Sequence, residues 1–325
     1  MIFKKRFFVI IGLLLFIYIL LKLDISKSFS YIYKINLLFF SFYLFLTFFV
    51  LFIKGLKWRV LILPFGKNKS VFYCVKYFLV GFFWGIITPG RIGEFVRTFY
   101  LDKELNNLGK SFSTVFIDRL FDIVVLLLLG LVAILSFSFS FNLVLISTPI
   151  LFAIVLAAFV CIIFFFKKKF MKKILRPFFY FFVPQTHKKK IRVNFDSFYH
   201  GLSILKKKPK YSIFALILTL LIWLFSIIAD YFLILSLNIQ ASLFFVALII
   251  PIIRLVDIIP ISISGIGTRD AALIFLFSFI GLAKEQAIAF SLVYLFVGYF
   301  LIALAGGLLF FRESIKPNFS LTNNG

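Results

Sequence analysis

The segment Thr88-Pro89-Gly90-Arg91-Ile92-Gly93-Glu94 interrupts an apolar run and brings three kinds of group together. Pro89, Gly90 and Gly93 release backbone N–H and C=O groups that a regular helix would satisfy within itself. A helix restarting after the break aims its free N–H groups and the positive end of its dipole into the gap. Arg91 and Arg97 add guanidinium forks, which match phosphate oxygens in pairs. The chemistry expected of this set is the holding of a phosphate-bearing headgroup. Glu94 either pairs with Arg97 at i,i+3 or faces a cationic part of the same headgroup. The competing reading is an ordinary interfacial loop whose arginines snorkel to water.

A second break, Pro260-Ile261-Ser262-Ile263-Ser264-Gly265-Ile266-Gly267-Thr268-Arg269-Asp270, repeats the pattern. Gly265 and Gly267 permit tight turns. Asp270 falls near a helix start, where an acid can cap and is favoured by the dipole, and this explains it without a ligand. Arg269 has no such excuse and is the better anion ligand. Arg254 and Asp257 lie at i,i+3 within the apolar run Leu243–Ile259. Charges at membrane depth are costly, and these two either pair with each other or serve a function. Asp230, isolated in another apolar run, is read as a proton relay or as the partner of Arg254 or Arg269; Lys76 is a further charge inside an apolar run. Asp118 and Asp122 share a helix face at i,i+4 around Arg119. They fit a carboxylate pair or a metal site less well than salt bridges to Arg119 or nearby basic loops.

No Ser/His/Asp triad, zinc spacing, phosphate loop or dinucleotide fingerprint emerges, so no catalytic residue, metal or cofactor is assigned. Cys74 and Cys161, both in apolar runs, are read as small buried hydrophobes rather than a redox pair. His187 and His200 fall in a basic stretch and read as solvent-facing.

These residues must be positioned by helices in a membrane. The chain is 63% hydrophobic and only 15% charged, yet carries a net charge of +24, with a mean hydropathy of +1.11. Soluble domains are nearer 45–50% apolar. The basic residues flank apolar runs of roughly 20 residues, the length that crosses a bilayer. Anionic headgroups therefore account for the charge, and a nucleic-acid partner is not expected. Clear runs are Phe7–Leu21, Ile35–Ile53, Leu120–Leu135, Leu143–Phe166, Tyr211–Leu237 and Ile288–Phe311. The first follows Lys4-Lys5-Arg6 and lacks a cleavage site, so it reads as an uncleaved helix with its N-terminus inside. Leu120–Leu135 is the shortest and needs help from its flanks.

Loop 54–70, with Lys54, Lys57, Arg59, Lys67 and Lys69, and stretch 167–210, with fourteen Lys or Arg against the single acid Asp196, are both expected to be cytoplasmic. By parity, Val71–Leu101 then begins and ends inside, and Leu243–Leu282 begins and ends outside. Each is either a re-entrant hairpin or a pair of short spans. Arms of about 13–17 residues are short for a crossing and favour hairpins. Within 167–210, Ile191, Phe195, Phe198, Leu202 and Leu205 follow helical spacing, which reads as a basic amphipathic helix, the alternative being a disordered linker.

The expected fold is all-α: a polytopic helical bundle of about six full spans plus two re-entrant or broken hairpins, arranged as an inverted repeat. It forms one integral membrane domain over 1–325. The parts are a first helix (6–34), a first repeat (35–135), a linking helix (136–166), a basic cytoplasmic loop (167–210), an inverted second repeat (211–311) and a cytoplasmic tail (312–325). Paired Gly/Pro-interrupted segments in two halves of opposite orientation point to a transporter-like site at the repeat interface. The expected location is the inner (plasma) membrane, multi-pass, with both termini cytoplasmic.

In its two breaks, and in Asp118-Arg119-Leu120-Phe121-Asp122 between them, the chain resembles the flippase-like transmembrane domain of lysylphosphatidylglycerol synthases and its stand-alone relatives, over about residues 5–312. The resemblance implies a lipid-handling membrane domain that moves a phospholipid or polyprenyl-linked lipid between leaflets. In the full synthases a soluble domain follows and transfers lysine from aminoacyl-tRNA. This sequence stops at Gly325, so that transferase activity is expected to be absent. Under this reading Arg91, Arg97, Arg254 and Arg269 engage phosphate, while Glu94, Asp230, Asp257 and Asp270 balance charge or couple to ions. The expected partner is an anionic phospholipid or polyprenyl-phosphate lipid; a cytoplasmic enzyme and a second copy of the chain are further candidates. Two other readings stand beside it: a membrane-embedded headgroup transferase using Asp118 and Asp122, and an accessory subunit that docks a cytoplasmic enzyme through 167–210.

Overall fold

The structure, a computed structural model, describes residues 25–141, 185–258 and 265–313. The expected spans Phe7–Leu21 and Leu143–Phe166, together with Cys161 and Pro260, lie outside the described residues. Among the described residues the regular elements are helices: α1 (Ile25–Tyr33), α2 (Leu37–Ile62), α3 (Val71–Ile87), a 3-10 stretch (Pro89–Val96), α4 (Arg97–Leu105) and α5 (Leu108–Ser140). After these come α6 (Gln185–Lys207), α7 (Pro209–Ser236), α8 (Leu243–Ile258), α9 (Thr268–Ser278) and α10 (Lys284–Arg312), the last containing a π-helical segment at Phe296–Leu301.

Local chemistry sets the helix starts. Leu38 N–H donates to Asn36 Oδ1 (3.0 Å), Tyr73 N–H to Ser70 Oγ (3.1 Å) and Lys110 N–H to Asn107 Oδ1 (3.0 Å). Each side chain satisfies one of the donors that a helix N-terminus leaves free. Pro209 opens α7 at its first turn, where its missing N–H costs nothing. Leu37–Phe65, α5, α7 and α10 are each long and apolar enough to cross a membrane. Even α7, with 28 residues, extends about 42 Å against a hydrocarbon core of about 30 Å. Phe45, Phe48, Leu220, Leu224, Phe300 and Leu308 on these helices are exposed, as side chains solvated by lipid would be. The short expected run at 120–135 is the middle of the 33-residue α5, which draws in residues on both flanks.

Helices α2 and α7 pack side by side and antiparallel. Asn36 N–H donates to the Ser236 carbonyl (2.7 Å), Phe42 stacks on Phe232, Phe49 meets Phe225 edge-on, and Lys208 Nζ donates to the Pro64 carbonyl (3.0 Å). The first helices of the two repeats thus run in opposite directions. The remaining packing exchanges between halves: α3 lies on α10 as α8 lies on α5, and α4 on α5 as α9 on α10. The inverted repeat is therefore built into the contacts of the bundle.

Both broken segments are hairpins. Helix α4 returns beside α3, with Tyr77 stacked on Tyr100 and Lys69 paired with Glu104 (2.5 Å). Helix α9 returns beside α8, with Phe245 near Phe277. The first hairpin has its base at the Lys208 end of the bundle. The second has its base at the Asn36 end, where Phe141 meets both Phe245 and Phe279. With 17 residues, α3 reaches about 26 Å inward before breaking.

Two expectations are corrected. Lys54, Lys57 and Arg59 do not belong to a loop. Helix α2 continues to Ile62, because the apolar residues Val60, Leu61 and Ile62 give it a further buried turn, and Lys57 is itself buried. The connecting loop is short and contains only Lys67 and Lys69 of the group. The amphipathic stretch at 191–205 is a helix, longer than expected. Its apolar face is not left for the membrane surface: Phe198, Leu202 and Leu205 join a buried cluster with α2, α5 and α7.

The α3–α10 contact depends on Gly306. A Cβ there would collide with the Leu79 backbone carbonyl, which cannot move aside. Gly306→Val is expected to cost about 1–3 kcal/mol through overpacking, read as a lower midpoint of thermal unfolding in detergent. An unchanged midpoint would show that the two helices do not approach this closely.

Candidate functional site

The two hairpin tips enter from opposite ends of the bundle and meet inside it. Arg91 Nη2, from the first tip, donates to the Tyr299 hydroxyl (2.8 Å), and that hydroxyl donates to Asp257 Oδ2 (3.0 Å) at the end of α8. Tyr299 sits in the π-helical segment of α10, a distortion that is frequent at functional sites. Arg91 has φ of 57°, in the left-handed region that an arginine rarely occupies. Such strain costs about 1–3 kcal/mol and persists only where the surroundings impose it.

The first tip is fixed by α3 and Thr88. The Thr88 hydroxyl donates to the Trp84 carbonyl (2.9 Å) and accepts from Gly93 N–H (2.6 Å). Pro89 and Gly90 open the 3-10 stretch. Gly85 presents no side chain, which lets Glu94 lie against α3; a Cβ on Gly85 would come within 2.6 Å of Glu94 Cγ. At Gly93 a Cβ would strike the Trp84 backbone. The break is therefore packed against its own helix.

On one side of the meeting point lies an interlocked ion cluster. Lys57 Nζ is 2.8 Å from Asp118 Oδ1 and 2.6 Å from Asp122 Oδ1. Arg97 pairs with Asp118 Oδ2. Arg119 binds Glu94 Oε2 (2.6 Å) and lies 3.4 Å from Asp118 and 3.5 Å from Asp122. Lys57, Glu94, Arg97 and Asp118 are buried, while Arg119 and Asp122 remain partly exposed. Glu94 does not pair with Arg97 at i,i+3, as the spacing allowed. The 3-10 stretch changes the angular step between them, so each turns to a different partner on α5. The salt-bridge reading of Asp118 and Asp122 holds, with Lys57 as a partner that the sequence had concealed.

On the other side, Arg254 pairs with Asp230 (3.0 Å), not with its i,i+3 neighbour Asp257. Asp257 is taken by Tyr299 instead. Asp270 Oδ2 accepts from Gly267 N–H (2.8 Å), the capping role expected of it, and its other oxygen accepts from Ser291 Oγ. Arg269 Nε donates to Ser291 Oγ (3.0 Å). Gly265 and Gly267 have φ of 77° and 86°, and a side chain on Gly265 would strike Asp257 Oδ1. Both glycines are needed for the turn, and Gly265 for the close approach as well. Lys76 lies apart from both clusters and pairs with Glu313.

An aromatic ladder joins the clusters. Phe78, Phe82, Tyr299 and Tyr294 succeed one another at centroid spacings of 6.4, 6.1 and 5.5 Å. Cations face each step: Lys54, Arg97 and Arg119 over Phe78, Arg91 over Phe82 and Tyr299, Arg254 and Arg269 over Tyr294. Ring faces stabilise these cations without adding negative charge. Sequence reading missed Lys54, Lys57, Ser291, Tyr294 and Tyr299. The i,i+3 pair Lys54/Lys57 ahead of Val60-Leu61-Ile62 was the available signal for the lysines. With 51 Phe and 13 Tyr in the chain, nothing singled out the ladder rings.

A family model described as the lysylphosphatidylglycerol synthase TM region matches residues 7–306 of this chain. A UPF0104 membrane protein of Methanocaldococcus jannaschii is 28% identical over 233 residues, covering 69% of this chain and 92% of that protein. A second from the same organism is 27% identical, covering 77% of this chain and 76% of the relative. A UPF0104 membrane protein of Methanothermobacter thermautotrophicus is 21% identical, covering 80% and 81%. No solved structure matches the chain.

Proposed function

This integral membrane protein belongs to the lysylphosphatidylglycerol synthase TM region family, and on that premise we propose that it binds phosphate-bearing lipid headgroups in its charged core and passes them between leaflets. The observation that carries this reading is the meeting of two hairpin tips from opposite ends at Arg91, Tyr299 and Asp257. A headgroup crossing hydrocarbon must exchange its water for fixed polar groups. The clusters on either side of the meeting point, linked by the ladder, supply such groups in succession.

Arg91, Arg97, Arg119, Arg254 and Arg269 take phosphate oxygens on this reading. Glu94, Asp118, Asp122, Asp230, Asp257 and Asp270 hold those arginines when no lipid is present. The breaks at Pro89, Gly90 and Gly93, and at Gly265 and Gly267, let backbone approach the headgroup. The acyl chains stay in the bilayer. The protein resides in the cell membrane, with the Lys-rich end, near Lys67, Lys69 and Lys208, in the cytoplasm.

The test is a two-leaflet bleaching assay. Vesicles carrying the purified protein and a trace of headgroup-labelled lipid are treated from outside with an impermeant reductant. Loss of signal beyond the outer leaflet's share is expected with protein, and not in protein-free vesicles. If bleaching stopped at the outer leaflet for phosphatidylglycerol, phosphatidylethanolamine and polyprenyl phosphate alike, the proposal would be wrong.

A further inference from the structure

We infer that Lys54, together with Arg119 over the Phe78 ring, seats a single monoanionic phosphodiester, and that Lys54 makes the core select lipids of net charge minus one. This rests on the headgroup reading above and names the charge class of its substrate.

Lys54 is half-buried in α2, one turn before Lys57, and its Nζ lies 5.4 Å from the centroid of the Phe78 ring. Arg119 and Arg97 face the same ring at 5.7 and 5.4 Å. The core holds six other cations and six carboxylates; five of those cations pair directly with a carboxylate, and Arg91 reaches Asp257 through the Tyr299 hydroxyl. Lys54 alone among them has neither an ion pair nor a hydrogen bond within the described residues, so the core carries one positive charge in excess.

The donor inventory around Phe78 agrees. Arg97 Nε, Arg97 Nη1 and Arg119 Nε are buried without acceptors, as against two carboxylate oxygens there without a hydrogen-bond donor, Glu94 Oε1 and Asp118 Oδ1. Asp118 Oδ1 is held by the charge of Lys57 rather than by an aligned hydrogen bond. Buried donors are ordinarily satisfied, and the missing element at this ring is an anionic acceptor. One phosphodiester supplies one negative charge and two free oxygens. A zwitterionic headgroup brings a second, positive charge into a region already in cationic excess. A doubly charged lipid would leave one charge without a partner.

Native mass spectrometry of the purified full-length protein reads this directly. The protein in detergent is titrated separately with phosphatidylglycerol, phosphatidylethanolamine and inorganic phosphate. One phosphatidylglycerol is expected to be retained about tenfold more tightly than phosphatidylethanolamine, on the scale of one charge-assisted hydrogen bond. Lys54→Gln should erase that preference and Lys54→Arg should keep it, both variants remaining monodisperse. A Lys54→Gln protein with the wild-type preference would overturn the inference, as would Lys54-dependent capture of inorganic phosphate in place of lipid. Loss of the preference in Lys54→Gln while vesicle bleaching stays at the outer-leaflet share would leave this seat standing and refute translocation instead.

Discussion

Asparagine at position 118 is expected to destabilise the protein by about 3–5 kcal/mol, enough to reduce its yield from the membrane sharply. Asp118 is fully buried and engages Lys57, Arg97 and Arg119. The amide keeps the shape and removes the charge. Arg97 is then left with no carboxylate, and Lys57 keeps only Asp122. Breaking a buried pair is costly because the survivor's charge stays desolvated. Thermal unfolding in detergent should show the loss. Adding Lys57→Met should recover part of it, since that removes one cation from the positive excess the lost carboxylate leaves, while Asp122 keeps Arg119. A double variant less stable than Asp118→Asn alone would show that Lys57 does not depend on Asp118.

Glycine at position 91 separates backbone from side chain. Arg91 holds a left-handed conformation that glycine adopts freely, so in Arg91→Gly the strain relieved, about 1–3 kcal/mol, offsets the lost bond to Tyr299 and the unfolding midpoint should change little. The substitution also deletes the guanidinium that joins the two tips through Tyr299. Hydrogen bonds to charged groups are worth about 1.5–3 kcal/mol, so translocation in the bleaching assay should fall roughly 10- to 100-fold. Arg91→Lys should restore little of this, because an ammonium cannot bind two phosphate oxygens as a fork. Full transport by Arg91→Gly would remove Arg91 from the headgroup path.

Much of the architecture was legible in one dimension because lipid forces simple rules on a chain. Apolar length marks spans, and Pro and Gly mark breaks. The hairpins at 71–105 and 243–278 followed from them, and so did the opposed repeats. Ion-pair partners were far less legible. Arg254 and Asp257 stood at an ideal i,i+3 spacing, yet each found its partner on another helix, α7 for one and α10 for the other. Spacing along one helix limits which local pairs can form; packing decides which do. Lys57 shows the same limit. A lysine close to a helix end reads as a loop charge until an acid from α5 is seen buried against it.

The antiparallel packing of α2 on α7 has a thermodynamic corollary. When corresponding parts of a molecule are related by a half-turn in the membrane plane, opening toward one aqueous phase and opening toward the other are nearly mirror operations, close in free energy. On the proposed transport reading, such symmetry by itself supplies no direction, so in the absence of a coupled gradient protein inserted upside down in a vesicle should move lipid at a similar rate.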